Sequence, residues 1–282
     1  MRGWKGGGME REPRGVLDPS AGRKWFDLAL HLPAPDLAQL VEHYWVVRWD
    51  VRDRDSYTQH VLPHPSAHLV VEPDVSRIVG VMTGRFTRVL RGQGRVFGVK
   101  FRPAGFRPFL GSPVSALTDR TVAVAEVFGP GGDALVERVR ALEDDARMVE
   151  AAEAFVHGRL PAPDPAVPAV NRIVDQIMAD REMARVDDVA ARTGVGKRRL
   201  QRLFAEYVGV SPKRVIQRYR LHEAVERLAA GDDVDLALLA RELGYYDQAH
   251  FGKDFRALVG RPPTQYARGT AGPRAHPGGR HR

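Results

Sequence analysis

From residue 169 to 267 the apolar positions recur at helical spacing and no segment alternates. Val170, Ile173, Val174 and Ile177 form one stripe, and Leu221, Ala224, Val225 and Leu228 form another. This three-and-four spacing gives a helix one apolar face. Before residue 160 the pattern is mixed. Phe97, Val99 and Phe101 alternate with Val96, Gly98 and Lys100, as a half-buried strand requires, and RIVGVM at 77–82 is a second short β run. Glycines 80, 84, 92, 94 and 98 predict tight turns between short strands. Behind Asp36, a fitting N-cap, Leu37, Leu40, Val41 and Tyr44 predict a short helix leading into YWVVRWDV. Helical spacing returns in ALVERVRAL (134–142) and VEAAEAFV (149–156). The expected fold class is α+β: a small N-terminal β-barrel or sheet with helices, then an all-α domain.

The stretch RLPAPDPAVP at 159–168 holds four prolines, which keep their predecessors out of helix and make a stiff extended connection. The organisation that follows has a disordered segment at 1–22, a first domain at 23–160, a proline-rich linker at 161–168, a helical domain at 169–267 and a disordered basic tail at 268–282. The opening MRGWKGGGMEREPRG is charged, glycine-rich and aperiodic, and Met9 is a candidate natural start.

Within the helical domain the sequence repeats itself. Ala190 and Gly194 match Ala240 and Gly244 fifty positions on. Beyond the glycines the offset becomes 51, pairing Leu200 with Phe251, Phe204 with Phe255, Gly209 with Gly260, and Pro212 with Pro263. One extra residue therefore sits in the second turn. Each copy reads as a helix-turn-helix, in which a short helix stops at a glycine suited to the left-handed conformation and a second helix follows. With Leu200, Leu203 and Phe204 buried in one copy and Phe251 and Phe255 in the other, the outer faces present Lys197, Arg198, Gln201 and Arg202, then Gln248, His250 and Lys253. Arginine can fork onto guanine O6 and N7, glutamine can bridge adenine N6 and N7, and lysine serves guanine or phosphate. Ser211 followed by Pro212 marks an N-cap and first helical residue, opening a linking helix from about 212 to 230.

Charge supports this location. The chain is formally +8, and residues 165–282 supply +7 of it. Zero cysteines exclude a disulfide framework, a thiolate zinc site and a cysteine nucleophile. No apolar run approaches the roughly 18–20 residues of a membrane span, so a cytoplasmic protein with no membrane contact is expected. P-loop, GxSxG, HExxH and Rossmann glycine patterns are missing. No enzyme, no cofactor and no metal are expected. His60, His64 and His68 recur every four residues, but Pro63 and Pro65 forbid the helix that would align them. A cupin-type metal-dependent enzyme in the first domain, with the helical half regulatory, is the alternative. Arg85, Lys100 and Arg102 are candidates for an anionic effector, against the plainer expectation that they are paired or solvated.

The residues GVGKRRLQRLFAEYVGVSPKRVIQRYRLHEAVERL (194–228) and LARELGYYDQAHFGKDFRALVGRPPTQY (239–266) resemble the bacterial AraC/XylS-type transcription regulators across the whole helical domain. The resemblance implies sequence-specific binding to double-stranded DNA. Base readers would be Arg198, Gln201 and Arg202 in the first copy, and Gln248, Ala249, His250 and Lys253 in the second, with phosphate contacts from Lys197, Arg199, Lys213 and Arg214. Gly196 stands where relatives often carry a serine cap, and Ala249 replaces a common serine, leaving only an apolar contact such as a thymine methyl. His250 is open between packing, phosphate and base. Some relatives join this domain to a DNA-repair methyltransferase, whose thiolate acceptor this chain lacks. The first domain, through VEHYWVVRWD, VLPHPSAHLVVE, VFGVKFRPAGFRPFL and DRTVAVAEVFG, resembles one found on some actinobacterial members. A sensing or dimerising role is implied, so RNA polymerase, a small-molecule effector and a second copy of the chain join DNA as candidate partners.

Overall fold

The computed structural model describes residues 15, 17, 22–53, 56–230 and 234–270. The first domain is built on β1 (Phe26–His31), β2 (Val41–Asp50), β3 (Tyr57–Val61), β4 (His68–Val71), β5 (Ser76–Val79), β6 (Phe86–Leu90), β7 (Gln93–Phe101) and β8 (Thr121–Ala123). Six of these form one antiparallel sheet in the order β1-β2-β7-β4-β5-β8, and β3 and β6 pair as a separate ribbon. Of the two forms expected, barrel or sheet, the sheet is found. Its edges β1 and β8 do not meet, so it is not closed into a barrel.

One face of the sheet carries Tyr44, Val46, Leu69, Val71, Ile78, Phe97, Val99 and Phe101 into a core. Helices α2 (Val124–Phe128), α3 (Pro130–Ala141) and α4 (Asp145–His157) close it with Leu135, Val139, Met148 and Phe155. The short α1 (Arg107–Leu110) and a 3-10 turn, Val114–Leu117, precede them. The helix expected after Asp36 is a correction. Residues 35–40 form turns, with Leu40 N–H donating to the Leu37 carbonyl at 2.9 Å, and Val41 already begins β2. Leu37, Val41 and Tyr44 are all buried, but the β-branched and aromatic run VEHYWVV wins the backbone for strand. Gly94 and Gly98 are a second correction. They lie inside β7, where a Cβ at 98 would come within 2.1 Å of the Trp45 indole and one at 94 within 2.3 Å of Trp49.

The second face holds charge. A bulge between Val41 and His43 displaces Glu42, whose carboxylate accepts from the Lys100 ammonium at 2.7 Å. His43 and His68 lie on either side of Lys100 across three strands. Burial, reinforced by the Lys100 charge, pushes His43 down to about 4 and His68 down to about 3. The unfolded chain therefore binds protons that the folded chain refuses. Stability should fall as pH drops below 6.5, by up to about 1.4 kcal/mol per pH unit per histidine. Urea midpoints between pH 6.5 and 5 check this, and His68→Gln should flatten the slope.

The second domain comprises α5 (Ala166–Ala179), α6 (Val186–Thr193), α7 (Lys197–Leu203) continuing into a π-helical turn (Phe204–Val208), α8 (Pro212–Ala229), α9 (Leu236–Glu242), α10 (Gln248–Val259) and α11 (Pro263–Thr270). The proline-rich connection is pinned by the Tyr207 hydroxyl, which donates to Asp164 at 2.7 Å. Most of residues 1–22 lie outside the described residues. Gly15 and Leu17 are described, and they pair with the chain at 60–62 through Leu17 N–H to the His60 carbonyl and Leu62 N–H to the Gly15 carbonyl. The tail from 271 onward also lies outside the described residues.

Candidate nucleic-acid interface

The two helix-turn-helix copies are built around one spine. Val215, Ile216 and Tyr219 in the first half of α8 share a core with Val189, Leu200 and Phe204. Leu221, Ala224, Val225 and Leu228 in its second half share another with Leu239, Ala240, Phe251 and Phe255. With 18 residues, α8 runs about 27 Å. Ser211 caps it and Pro212 is its first residue. Its buried arginines have partners: Arg220 donates to the carbonyls of Ile177 and Asp180 at the end of α5, and Arg218 to those of Pro63, Met82 and Thr83 in the first domain.

In each copy the first helix ends at a glycine with positive φ, 68° at Gly194 and 79° at Gly244, a backbone that a β-carbon would strain. Val195 and Tyr245 follow, shielded. Gly196 then caps α7 without a side-chain bond, whereas the Asp247 carboxylate caps α10 by accepting from the His250 N–H at 2.7 Å. Tyr246 is thus the residue without a counterpart in the first copy. It is 94% exposed and stands before the N-terminus of α10. The change of offset between the copies was the sequence signal for it.

Because Leu200, Phe204, Phe251 and Phe255 turn inward, the opposite faces of α7 and α10 are presented to solvent. Arg198, Gln201 and Arg202 are exposed on the first, and Gln248, Ala249, His250 and Lys253 on the second. Lys197, Arg199, Lys213 and Arg214 are exposed as well. Lys197 is ion-paired with Asp187, so a phosphate there must displace a carboxylate. His250 lies edge-on to Tyr245, ring centroids 5.3 Å apart, with Nε2 3.8 Å from Asp254. Its ring is partly engaged in packing.

The candidates for other chemistry are scattered. His60 Nδ1 is 3.1 Å from the Thr87 hydroxyl on the ribbon, His64 stacks on His222 at 4.3 Å, and His68 lies on β4 of the main sheet. Among the described residues no three His, Cys, Asp or Glu side chains are placed to hold an ion. Lys100 is paired with Glu42, Arg102 with Asp175, and Arg85 with the Val259 carbonyl.

Residues 189–269 match the family described as a helix-turn-helix domain, and residues 29–123 match a domain of unknown function, DUF6597. Curated relatives include the HTH-type transcriptional regulator GbdR of Pseudomonas aeruginosa, 30% identical over 36% of this chain and 28% of its own. RhaS of Pectobacterium carotovorum, an HTH-type transcriptional activator, is 33% identical over 27% of this chain and 26% of its own. AarP of Providencia stuartii, also named an activator, is 32% identical over 29% and 59%. The chain thus spans less than a third of the length of the first two. Among solved structures, ToxT from Vibrio cholerae is 11% identical with a TM-score of 0.38 over 88% of this chain and 99% of its own. The C-terminal domain of AraT from Geobacillus stearothermophilus is 22% identical with a TM-score of 0.36 over 42% and 98%. Among the described residues no helix is long and apolar enough to cross a membrane. Residues 189–269 thus carry a helix-turn-helix domain similar to those of proteins named as transcriptional regulators, with a DUF6597 domain at residues 29–123 in front of it.

Proposed function

We propose that the chain is a cytoplasmic transcription regulator that reads two adjacent major-groove segments of one promoter site. The observation that carries this reading is the pair of equivalent helix-turn-helices on a shared helix, each with its polar face outward. Arg198, Gln201 and Arg202 would read one segment, and Gln248, Ala249, His250 and Lys253 the other. Lys197, Arg199, Lys213 and Arg214 would bind phosphate. The 27 Å spine suits grooves about 34 Å apart on one face of B-DNA. No catalytic step is assigned. Two relatives named as activators support an encounter with RNA polymerase. Control by a small molecule, or by pairing of two chains through the first domain, follows from the same family resemblance.

Selection from random duplexes followed by footprinting tests the reading. The expected site is about 17–20 base pairs with two protected major-groove segments one turn apart. Protection of a single segment would show that one copy does not dock. Lys213→Ala should weaken all sequences about equally and lower the salt slope by about 1, because it removes one phosphate contact and its counterion release. A titration of binding against salt concentration measures this.

A further inference from the structure

The repeat gives each copy a corresponding point where its second helix ends: Gly209 in the first, Gly260 in the second, with φ of 88° and 91°. A side chain of the first domain holds each of them. Thr118, just after the 3-10 turn, donates its hydroxyl to the Gly209 carbonyl at 2.6 Å, and Val114 lies against the same glycine. Arg85, just before β6, donates Nη1 to the Val259 carbonyl at 2.9 Å, and its guanidinium fills the space that a Cβ at 260 would need. Carbonyls at helix C-termini lack intrahelical donors and carry partial negative charge, so a hydroxyl and a cation are both suited to them.

The apolar contacts repeat the arrangement. Val81, Ala104 and Val114 enter the core of the first copy, and Leu17 and Leu62 enter that of the second. Arg107 adds an ion pair to Glu206 at 2.6 Å on the first copy. A body packed along a single helix can roll about that line. Fastened at a second point, it cannot. Each copy is fastened twice, once on α8 and once on the first domain.

We propose that the first domain sets the separation and mutual tilt of α7 and α10, with Thr118 and Arg85 as positioning residues. The spacing between the two segments of the DNA site is then fixed by the first domain as well as by α8. The proposal rests on the DNA reading above, so its test begins without DNA.

The chain has no cysteine, so Ala205→Cys and Ala257→Cys, both at exposed positions, supply the only two thiols for spin labels. A narrow interspin distance distribution is expected by double electron–electron resonance. Arg85→Ala combined with Thr118→Val should broaden it, and Arg85→Lys, which keeps a donor, should leave it narrow. Should the combined variant not fold, as judged by its circular dichroism melt, Thr118→Val alone should give partial broadening. On duplexes with one base pair added between the two segments, the parent chain should lose about tenfold in affinity, the cost of one good base contact. The loosened variant should lose much less. An unchanged distribution together with the parent's spacing profile would overturn the positioning role. A broadened distribution in a chain that selects no duplex would instead overturn the DNA reading and leave the positioning role standing.

Discussion

Replacing Arg218 with alanine should destabilise the folded chain by about 3 kcal/mol, seen as a lower urea midpoint with an unchanged slope. The side chain is 7% exposed and its guanidinium spans the seam between the domains, donating to Pro63, Met82 and Thr83. Burial pushes it down to about 10, so it remains charged at neutral pH, and the three carbonyls offset the loss of water around that charge. Truncation leaves all three acceptors without their donor inside a packed seam. Arg218→Lys keeps the charge but loses the planar fork that reaches three oxygens, and should fall between the two. A midpoint for Arg218→Ala equal to the parent's would show that water replaces the guanidinium at no cost.

Arg202→Ala should weaken binding to the selected duplex by ~1–3 kcal/mol and flatten discrimination at one base pair, leaving the neighbouring positions intact. Arg202 is exposed on α7 beside Gln201, while Leu200 on the same helix is fully buried. The fold should therefore be indifferent to Arg202→Ala. Leu200→Ala, by contrast, should cost roughly 2–5 kcal/mol of stability through the cavity it leaves. Competition binding against a set of single-base variants, run beside a thermal melt, separates the two effects. A variant that keeps the parent's preference at every position would remove Arg202 from the reading face.

The second domain was legible because its signals are local and doubled. Ala190, Gly194 and Phe204 recur as Ala240, Gly244 and Phe255, and small residue, left-handed turn and core aromatic each have one physical role at those places. The stripes through Val170 and Leu221 went to the core as their spacing required. The first domain was harder. Val41 and Tyr44 fit a helical period by coincidence of a turn at 35–40 with a strand that follows at once. Gly94 and Gly98 resemble turn residues until Trp49 and Trp45, some fifty positions away in sequence, are seen lying over them. Arg218 and Arg220 carry no sign of burial in the sequence, since their partners are carbonyls of Pro63, Met82, Thr83, Ile177 and Asp180. The grip of Thr118 and Arg85 on the ends of the two copies is likewise a contact between distant segments, invisible to spacing.

The two copies are similar without being equal. One is capped by Gly196 and presents two arginines and a glutamine, and the other is capped by Asp247, preceded by the unmatched Tyr246, and presents a glutamine, an alanine, a histidine and a lysine. A palindrome suits a molecule with twofold symmetry, and a single chain of this kind has none. Its target should therefore have a heading. Turning that sequence end for end beside a gene would swing the first domain from the upstream to the downstream flank, so orientation, and not occupancy alone, would decide what the bound protein can touch.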